Sequence, residues 1–366
     1  MATLELDGVS KSFKTGDVLS NVSLTTADGE TVVIFGPSGT GKTVLLRLIA
    51  GIEEPDSGDI RLDGKSLVGM ASDARGVGMA FQNFALYPHM QAYDNISSPL
   101  AARGMSKENL DEKVHSIAKL LKIDHVLTHV PKALSNGQKQ RTALARALVA
   151  GPQVLLLDDP LRNVDAKLRY EMRLELPRLL AEFKSTTLYV TQDYKEAMAL
   201  GDRIAVLAGG GLAQIATPVD IYLRPANVAI AKLFGDPTIN LLSTTIETNG
   251  TGPSVRLADL RIPLGPAFER FQGRKVRIGI RPENITIARE AQEDALKIEV
   301  VAVTPLNERV VTLFQLADGT ECFASAPDIH SSTTTRRHGA AYATIKAESI
   351  LVFDHDQGQR IEAKTE

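Results

Sequence analysis

The sequence predicts an α/β chain, with a mostly parallel sheet, an antiparallel edge and a helical insert over residues 1–235, and a separate all-β domain over residues 236–366. Three observations predict it. Thr31-Val32-Val33-Ile34-Phe35 is a β-branched and aromatic run. It leads through Gly36-Pro37-Ser38-Gly39-Thr40-Gly41-Lys42-Thr43 into Val44–Ala50, which is apolar on most faces and closed by Gly51. That order reads as buried strand, tight loop and core helix. Val154–Leu157 is a continuous apolar run ending at Asp158-Asp159-Pro160, as expected of a strand buried on both faces. After Phe234-Gly235-Asp236-Pro237 the pattern changes to short alternating runs, such as Val276–Ile280 and Val310–Phe314, divided by Gly, Pro and Asp-Gly turns. Such runs predict a small antiparallel barrel.

Leu4–Phe13 and Val18–Leu24 read as two strands split by the Lys14-Thr15-Gly16-Asp17 turn, which places an antiparallel edge ahead of the first buried strand. Phe13, with Val18 nearby, can stack on a purine, and core packing is the competing account. In Gly36 to Thr43 two glycines bracket four residues and are followed by Lys and Thr, the phosphate-binding P-loop pattern. Set at a helix N-terminus, the loop's amides and the helix dipole favour an anion. The glycines let the backbone wrap a triphosphate such as ATP, Lys42 reaches the outer phosphates, and the Thr43 hydroxyl can ligate Mg2+. A glycine-rich turn with a surface lysine would not need this strand-loop-helix setting.

Asp59–Leu62 and Val77–Phe81 are expected as strands, and Gln82 follows the second, where it can reach a metal or its water. An exposed loop glutamine is the commoner case. A helical insert is expected over about 83–150. Within it, Ser106 is a candidate cap for a helix with the stripe Leu110, Val114, Ile117, Leu120 and Leu121. Phe84-Ala85-Leu86-Tyr87-Pro88-His89-Met90 is apolar enough to be either core or a docking surface. Leu134-Ser135-Asn136-Gly137-Gln138 opens the last helix of the insert, and Gly151-Pro152 stops it. Ser135 is a cap residue on any account, yet this second helix N-terminus is also a second place to hold phosphate oxygens. One loop already surrounds one nucleotide, so the simplest use of both ends is face-to-face pairing of two such domains.

Carboxylates at the C-terminal end of a parallel strand lie in the crevice where such sheets bind ligands. There Asp158 is the candidate Mg2+ ligand and Asp159 the candidate to orient or deprotonate an attacking water, with solvated turn acids as the plain alternative. Ala166–Phe183 is expected as a helix kinked at Pro177. Thr187–Thr191 is a strand with Gln192-Asp193 at its carboxyl end, and Ile204–Leu207 completes the sheet.

Lys+Arg 41 against Asp+Glu 44 gives a net charge of -3, so no basic excess supports a nucleic-acid partner. The single Cys322 excludes an internal disulfide and fits a reducing compartment. Glu5 and Asp7 stand where a signal peptide would be basic, and no apolar run reaches the roughly 18 residues needed to cross a bilayer. The expectation is a cytosolic chain that serves a membrane, if at all, through a partner.

Taken together and in this order, the motifs resemble the ATP-binding subunits of ABC transporters, in particular the maltose-type subunits of bacterial carbohydrate importers. The resemblance covers nearly the whole chain: Gly36 to Thr43, Gln82, Ala85 to Met90, the signature at Leu134 to Gln138, Asp165-Ala166-Lys167-Leu168-Arg169, Glu196-Ala197-Met198, Arg224-Pro225-Ala226-Asn227 and Gly279-Ile280-Arg281-Pro282-Glu283. It implies a P-loop NTPase sheet followed by a regulatory domain of the oligonucleotide/oligosaccharide-binding type. It implies ATP and Mg2+ as cofactors, bound between the P-loop of one subunit and Ser135, Asn136, Gly137 and Gln138 of another. The implied partners are a second ATPase subunit, two integral membrane permease subunits that meet the Tyr87 region, and, indirectly, a solute-binding protein. The implied location is peripheral, on the cytoplasmic face of the cell membrane.

Three departures from the family pattern bear on activity. Asp159 stands where the family has Glu, and a carboxylate withdrawn by about 1 Å can cost on the order of 10²-fold in rate. Gln192 stands where the family has a switch histidine that contacts the γ-phosphate, and glutamine cannot become cationic. Asn136-Gly137 replaces Gly-Gly in the signature, a mild change because Asn tolerates turn conformations. Groups that bind nucleotide are kept and groups that cleave it are weakened, which predicts the catalytically weaker member of a heterodimeric pair. The competing function, from another class, is a nucleotide-gated regulatory protein that no longer transports. Co-purification with integral membrane proteins separates the two.

Overall fold

The computed structural model describes residues 2–249, 252–292, 294–306, 308–327 and 339–362, and the chain divides into two compact units, Met1–Val219 and Asp220–Glu366. No described helix is long and apolar enough to cross a membrane.

The first unit begins β1 (Leu4–Phe13), β2 (Gly16–Thr25), β3 (Thr31–Phe35), α1 (Lys42–Ala50), β4 (Ser57–Leu62), β5 (Lys65–Ser66) and β6 (Val77–Ala80). It continues α2 (Ala92–Ala101), α3 (Lys107–Leu120), α4 (Asn136–Leu148), β7 (Val154–Asp158), α5 (Ala166–Phe183), β8 (Thr186–Thr191), α6 (Tyr194–Leu200), β9 (Arg203–Ala208) and β10 (Gly211–Ala216). The six strands β10-β9-β3-β8-β7-β6 form one sheet in that order, parallel except for the β9–β10 pair. β3, β7 and β8 are buried along their whole length, which is why their sequences do not alternate. The N-terminal hairpin, expected at the edge of this sheet, instead pairs with β4 to make a separate antiparallel sheet, β2-β1-β4-β5. Its Leu4 and Leu6 turn inward with the strand period of two, and a register shift after Leu6 brings Val9 inward as well.

Between the two sheets' apolar faces lies α1. Its Leu45, Leu46, Leu48 and Ile49 share one cluster with Leu6 and Val22 of the small sheet and with Ile34, Leu156 and Val190 of the large one. A helix apolar on most sides is therefore buried on most sides, and the loop preceding it is held against a rigid core.

In the insert, α3 buries Val114, Ile117 and Ala118, while Leu110 and Leu120 of the expected stripe are only half-buried. Ser106 occupies the N-cap position of α3 but its side chain makes no capping hydrogen bond. Pro177 lies inside α5, whose helical span is unbroken from Ala166 to Phe183. None of residues Phe84 to Met90 is buried, so the apolar stretch is surface.

A short helix, α7 (Pro218–Leu223), spans the division, and the second unit contains α8 (Val228–Leu233). Its strands are β11 (Asn240–Asn249), β12 (Gly252–Leu257), β13 (Leu260–Pro263), β14 (Lys275–Ile280), β15 (Ile285–Ala288), β16 (Leu296–Leu306), β17 (Arg309–Gln315), β18 (Glu321–Pro327), β19 (Gly339–Ile345) and β20 (Leu351–Asp354). They form two five-stranded antiparallel sheets, β13-β12-β11-β14-β20 and β15-β19-β16-β17-β18, around one apolar core that includes Ile278, Ile298, Phe314 and Ala341.

Where the sequence suggested a boundary at 235/236, the chain divides after Val219. Packing explains the difference. Val228 and Ala231 of α8 share a cluster with Ile239, Leu351 and Phe353, which belong to the β-rich unit. Arg281 reinforces the tie: its buried guanidinium stacks 3.8 Å from the Tyr222 ring centroid and donates to the carbonyls of Tyr222, Ala231 and Phe234.

Candidate functional site

The loop from Gly36 to Thr43 is shaped by close approaches that only glycine permits. A Cβ on Gly36 would stand 2.5 Å from the backbone oxygen of Leu207 on β9. Gly41 has a φ of 96°, and a Cβ there would meet Leu19 and Val18 side-chain carbons at 2.9 Å. Gly39 is also left-handed, at φ 84°, a region open to glycine at little cost. The first turn of α1 thus presents its amides toward a concave backbone, the geometry that favours a phosphate.

Lys42 is only 8% exposed, and its ammonium donates to the carbonyls of Gly36 at 2.8 Å and Pro37 at 2.6 Å. Burial lowers its pKa, opposed by the charges of Asp159 and Asp158. Thr40 Oγ1 donates to the Pro37 carbonyl at 3.1 Å, which tightens the loop. Next in sequence, the Thr43 hydroxyl donates to Asp158 Oδ1 at 3.0 Å.

Asp158 ends β7 and Asp159 follows it with a left-handed φ of 45°. Both are buried, at 4% and 7% exposure. Burial pushes the Asp158 carboxyl up, against the pull of the Thr43 hydrogen bond and of Arg47 and Lys42. Asp159 is pushed up to about 6, first by burial and further by the charge of Asp158, while Arg162 acts the other way. A carboxyl with a pKa near 6 can accept a proton near neutral pH.

These groups face one cavity of about 380 Å³, lined by Phe13, Val18, Ser38, Gly39, Gly41, Lys42, Thr43, Gln82, Asp158, Asp159, Arg162 and Gln192, among others. The volume is that of a small-molecule pocket. Phe13 is 41% exposed at its rim, a position open to stacking and not the core packing that competed with it. Gly36, Pro37 and Thr40 are not among the lining residues, and the Pro37 carbonyl accepts from both Thr40 Oγ1 and Lys42 Nζ. Asn163 Nδ2 holds the Gln82 carbonyl at 2.9 Å.

Ser135, Asn136, Gly137 and Gln138 do not line this cavity. Ser135 and Gln138 form a reciprocal capping box at the start of α4: Gln138 N donates to Ser135 Oγ at 3.3 Å, and Ser135 N donates to Gln138 Oε1 at 2.9 Å. A Cβ on Gly137 would lie 2.5 Å from Leu168 Cδ2, so glycine lets α4 start against α5. Asn136 Nδ2 donates to the Asn163 carbonyl at 3.4 Å, a residue that also holds Gln82. The signature segment is therefore preformed and absent from the cavity lining of its own chain, with Ser135 and Asn136 exposed and Gly137 buried.

The sequence did not single out Arg162, and it offered Glu196 only as part of a matching segment, without its role in the fold. Arg162 reaches into the cavity with Nη1 3.8 Å from Asp159 Oδ2, and its position three residues after the acid was the available signal. Glu196 is buried four residues after Gln192, and its Oε2 accepts from Tyr189 Oη and Thr191 Oγ1, both at 2.9 Å. The Thr191 hydroxyl oxygen in turn accepts from Asp193 N at 3.0 Å. Gln192 thus sits on a bend clamped from both sides.

A second, larger groove of about 650 Å³ runs between the insert and the β6 edge, lined by Phe81, Ala85, Tyr87, Pro99, Arg103, Arg146 and Gln153, among others. Arg146 donates to the Phe84 and Ala85 carbonyls at 3.0 and 2.8 Å and lies 5.5 Å from the ring centroid of Tyr87, which is 46% exposed. It fixes the exposed apolar stretch as a wall of that groove.

Residues 19–162 match the ABC transporter family and residues 278–353 match the TOBE domain family. The chain is 44% identical, over 80% of its own length and 82% of the relative's, to the sn-glycerol-3-phosphate import ATP-binding protein UgpC of Escherichia coli K12. It is 45% identical to the UgpC of Salmonella typhi over the same shares of both chains. Among solved structures it is similar to the ATP-binding cassette MJ0796, a dimer in a post-hydrolysis state bound to ADP and Pi. That match has a TM-score of 0.54 at 31% identity and covers 59% of this chain and 98% of the other.

Proposed function

The chain belongs to the ATP-binding subunits of ABC transporters, and on that premise we propose that it powers import of a carbohydrate, polyol or glycerol-phosphate-like solute by coupling ATP binding and hydrolysis to movement of membrane subunits. The observation that carries this reading is the convergence of Lys42, Thr43, Asp158, Asp159 and Gln192 on one cavity beside an anion-binding helix start.

In this reading the P-loop amides and Lys42 bind the phosphates, and Phe13 and Val18 receive the purine. Thr43, Asp158 and Gln82 would hold Mg2+ through oxygen atoms, a set of hard ligands that suits the ion but is too small to enclose it without the nucleotide. When bound, Mg2+ neutralises charge on the β- and γ-phosphates. Asp159 orients the water and accepts its proton while the water oxygen bonds to the γ-phosphorus. The bond from that phosphorus to the β–γ bridging oxygen breaks, and ADP and phosphate leave. Gln192 donates a hydrogen bond to the γ-phosphate without adding charge. The exposed capping box at Ser135 completes the site of a facing subunit, so ATP favours the closed pair and hydrolysis releases it. Two permease subunits dock in the groove walled by Tyr87, which makes the chain peripheral on the cytoplasmic face. The β-rich unit has the regulatory role.

The shortened acid and the uncharged Gln192 lower intrinsic hydrolysis, and the chain is the weaker member of a heterodimer with an intact ATPase subunit. Purified alone, it should bind ATP but turn it over slowly, and faster once a second ATPase subunit encoded nearby is added. Brisk turnover by the isolated homodimer, indifferent to Gln192→Ala, removes the heterodimer from this account. Failure to co-purify with permease subunits after co-expression removes the importer.

A further inference from the structure

The cavity holds two cations, and they are held differently. Lys42 is fixed, with its ammonium bonded to two loop carbonyls at 2.8 and 2.6 Å. Arg162 has a fixed base and a loose head. Its backbone N donates to the Asp159 carbonyl at 3.2 Å, and its own carbonyl accepts from Arg169 Nη2 at 3.2 Å. Arg169 also holds the Leu161 and Val164 carbonyls at 3.2 and 3.0 Å, so the whole turn is pinned. By contrast the Arg162 side chain is 46% exposed, and its approach to Asp159 is 3.8 Å. That is an ion pair too long to be a hydrogen bond, so although the Asp159 partner is buried, the contact does not lock the half-exposed guanidinium in place. A planar guanidinium on a fixed turn, beside a phosphate cradle and weakly held, is suited to a bidentate contact with a phosphoryl group.

We propose that Arg162 reads the terminal phosphate of the bound nucleotide in its own subunit: with ATP its guanidinium leaves Asp159 and pairs with the γ-phosphate, and with ADP it stays on Asp159. The inference rests on the reading of the cavity as a nucleotide site. It adds a consequence for the acid. The same movement that senses a triphosphate releases Asp159 from its cationic neighbour, so the acid becomes available to water only when there is a γ-phosphate to attack. Neither Lys42, already held by the loop, nor the uncharged Gln192 can perform this exchange.

The test compares equilibrium binding of ADP and of the non-hydrolysable β,γ-imido analogue of ATP, with Mg2+, to the full-length chain and to Arg162→Ala and Arg162→Lys. Loss of a charge-assisted contact in Arg162→Ala should weaken the triphosphate about 10- to 100-fold and leave ADP within about twofold, with Arg162→Lys between it and the parent. Retained ADP binding doubles as the check that the variant is folded; should Arg162→Ala fail to fold, Arg162→Gln is measured in its place and must show the same difference. Equal weakening of both nucleotides, or none, overturns the proposal. If the parent chain binds neither nucleotide, the nucleotide site itself is wrong, an outcome distinct from loss of discrimination.

Discussion

The Thr43 hydroxyl donates to Asp158 Oδ1 at 3.0 Å, joining the first turn of α1 to the end of β7 across 115 positions of sequence. Asp158 is buried and its pKa is raised by that burial, so its charged form is a cost to the fold. Asp158→Asn should therefore melt no lower than the parent in the absence of nucleotide, while its Mg2+-dependent ATP turnover falls by about 10²-fold or more. Thermal melts paired with an ATPase assay check both halves; a large drop in melting temperature contradicts the first.

Asp159→Glu restores one methylene of reach toward the phosphates. If the distance to water limits the rate, turnover rises about 10- to 100-fold with nucleotide affinity unchanged. Single-turnover hydrolysis together with a binding titration separates the two quantities.

The raised pKa of Asp159, about 6, sets the pH dependence. Its ionised form accepts the proton, so kcat/KM should climb about tenfold per pH unit below 6 and level off above it. In Asp159→Asn the profile over pH 5 to 8 should be low and flat. A parent profile flat through pH 6 shows that another group limits the rate.

Burial pushes Glu196 up to about 7 from an ordinary value of 4.5. The folded protein then holds a proton that the unfolded chain has lost, so stability is fully present below about 4.5 and declines as pH rises through about 7. Glu196→Gln removes that decline. Relative to the parent it should gain up to about 3 kcal/mol between pH 5 and pH 8 in denaturant melts, less whatever the lost hydrogen bonds from Tyr189 and Thr191 contributed.

Gly36→Ala places a methyl 2.5 Å from the Leu207 carbonyl oxygen, a backbone atom of a central strand that cannot swing aside. Loss of about 1–3 kcal/mol is expected, with weaker ATP binding because the loop moves with the strand.

Local pattern was enough for much of this. Loop, acids, capped helix and the two styles of chain are written in residues that are neighbours in sequence, because glycine freedom, hydrophobic period and helix caps act over a few positions. The structure places Phe13, Val18, Gln82, Asp158, Asp159 and Gln192 around one cavity with the loop. What the sequence could not decide depends on contacts made across the fold. The N-terminal hairpin chose β4 over the main sheet, and α8 packed with the β-rich unit because its apolar face matches Ile239 and Phe353. Arg162 entered the cavity because Arg169 bends the turn that carries it, and Glu196 lost its solvent because α6 closes over β8. In each case the side chain's chemistry was plain from its letter. Its partner was set by which surfaces bury together, and that is a property of the whole chain.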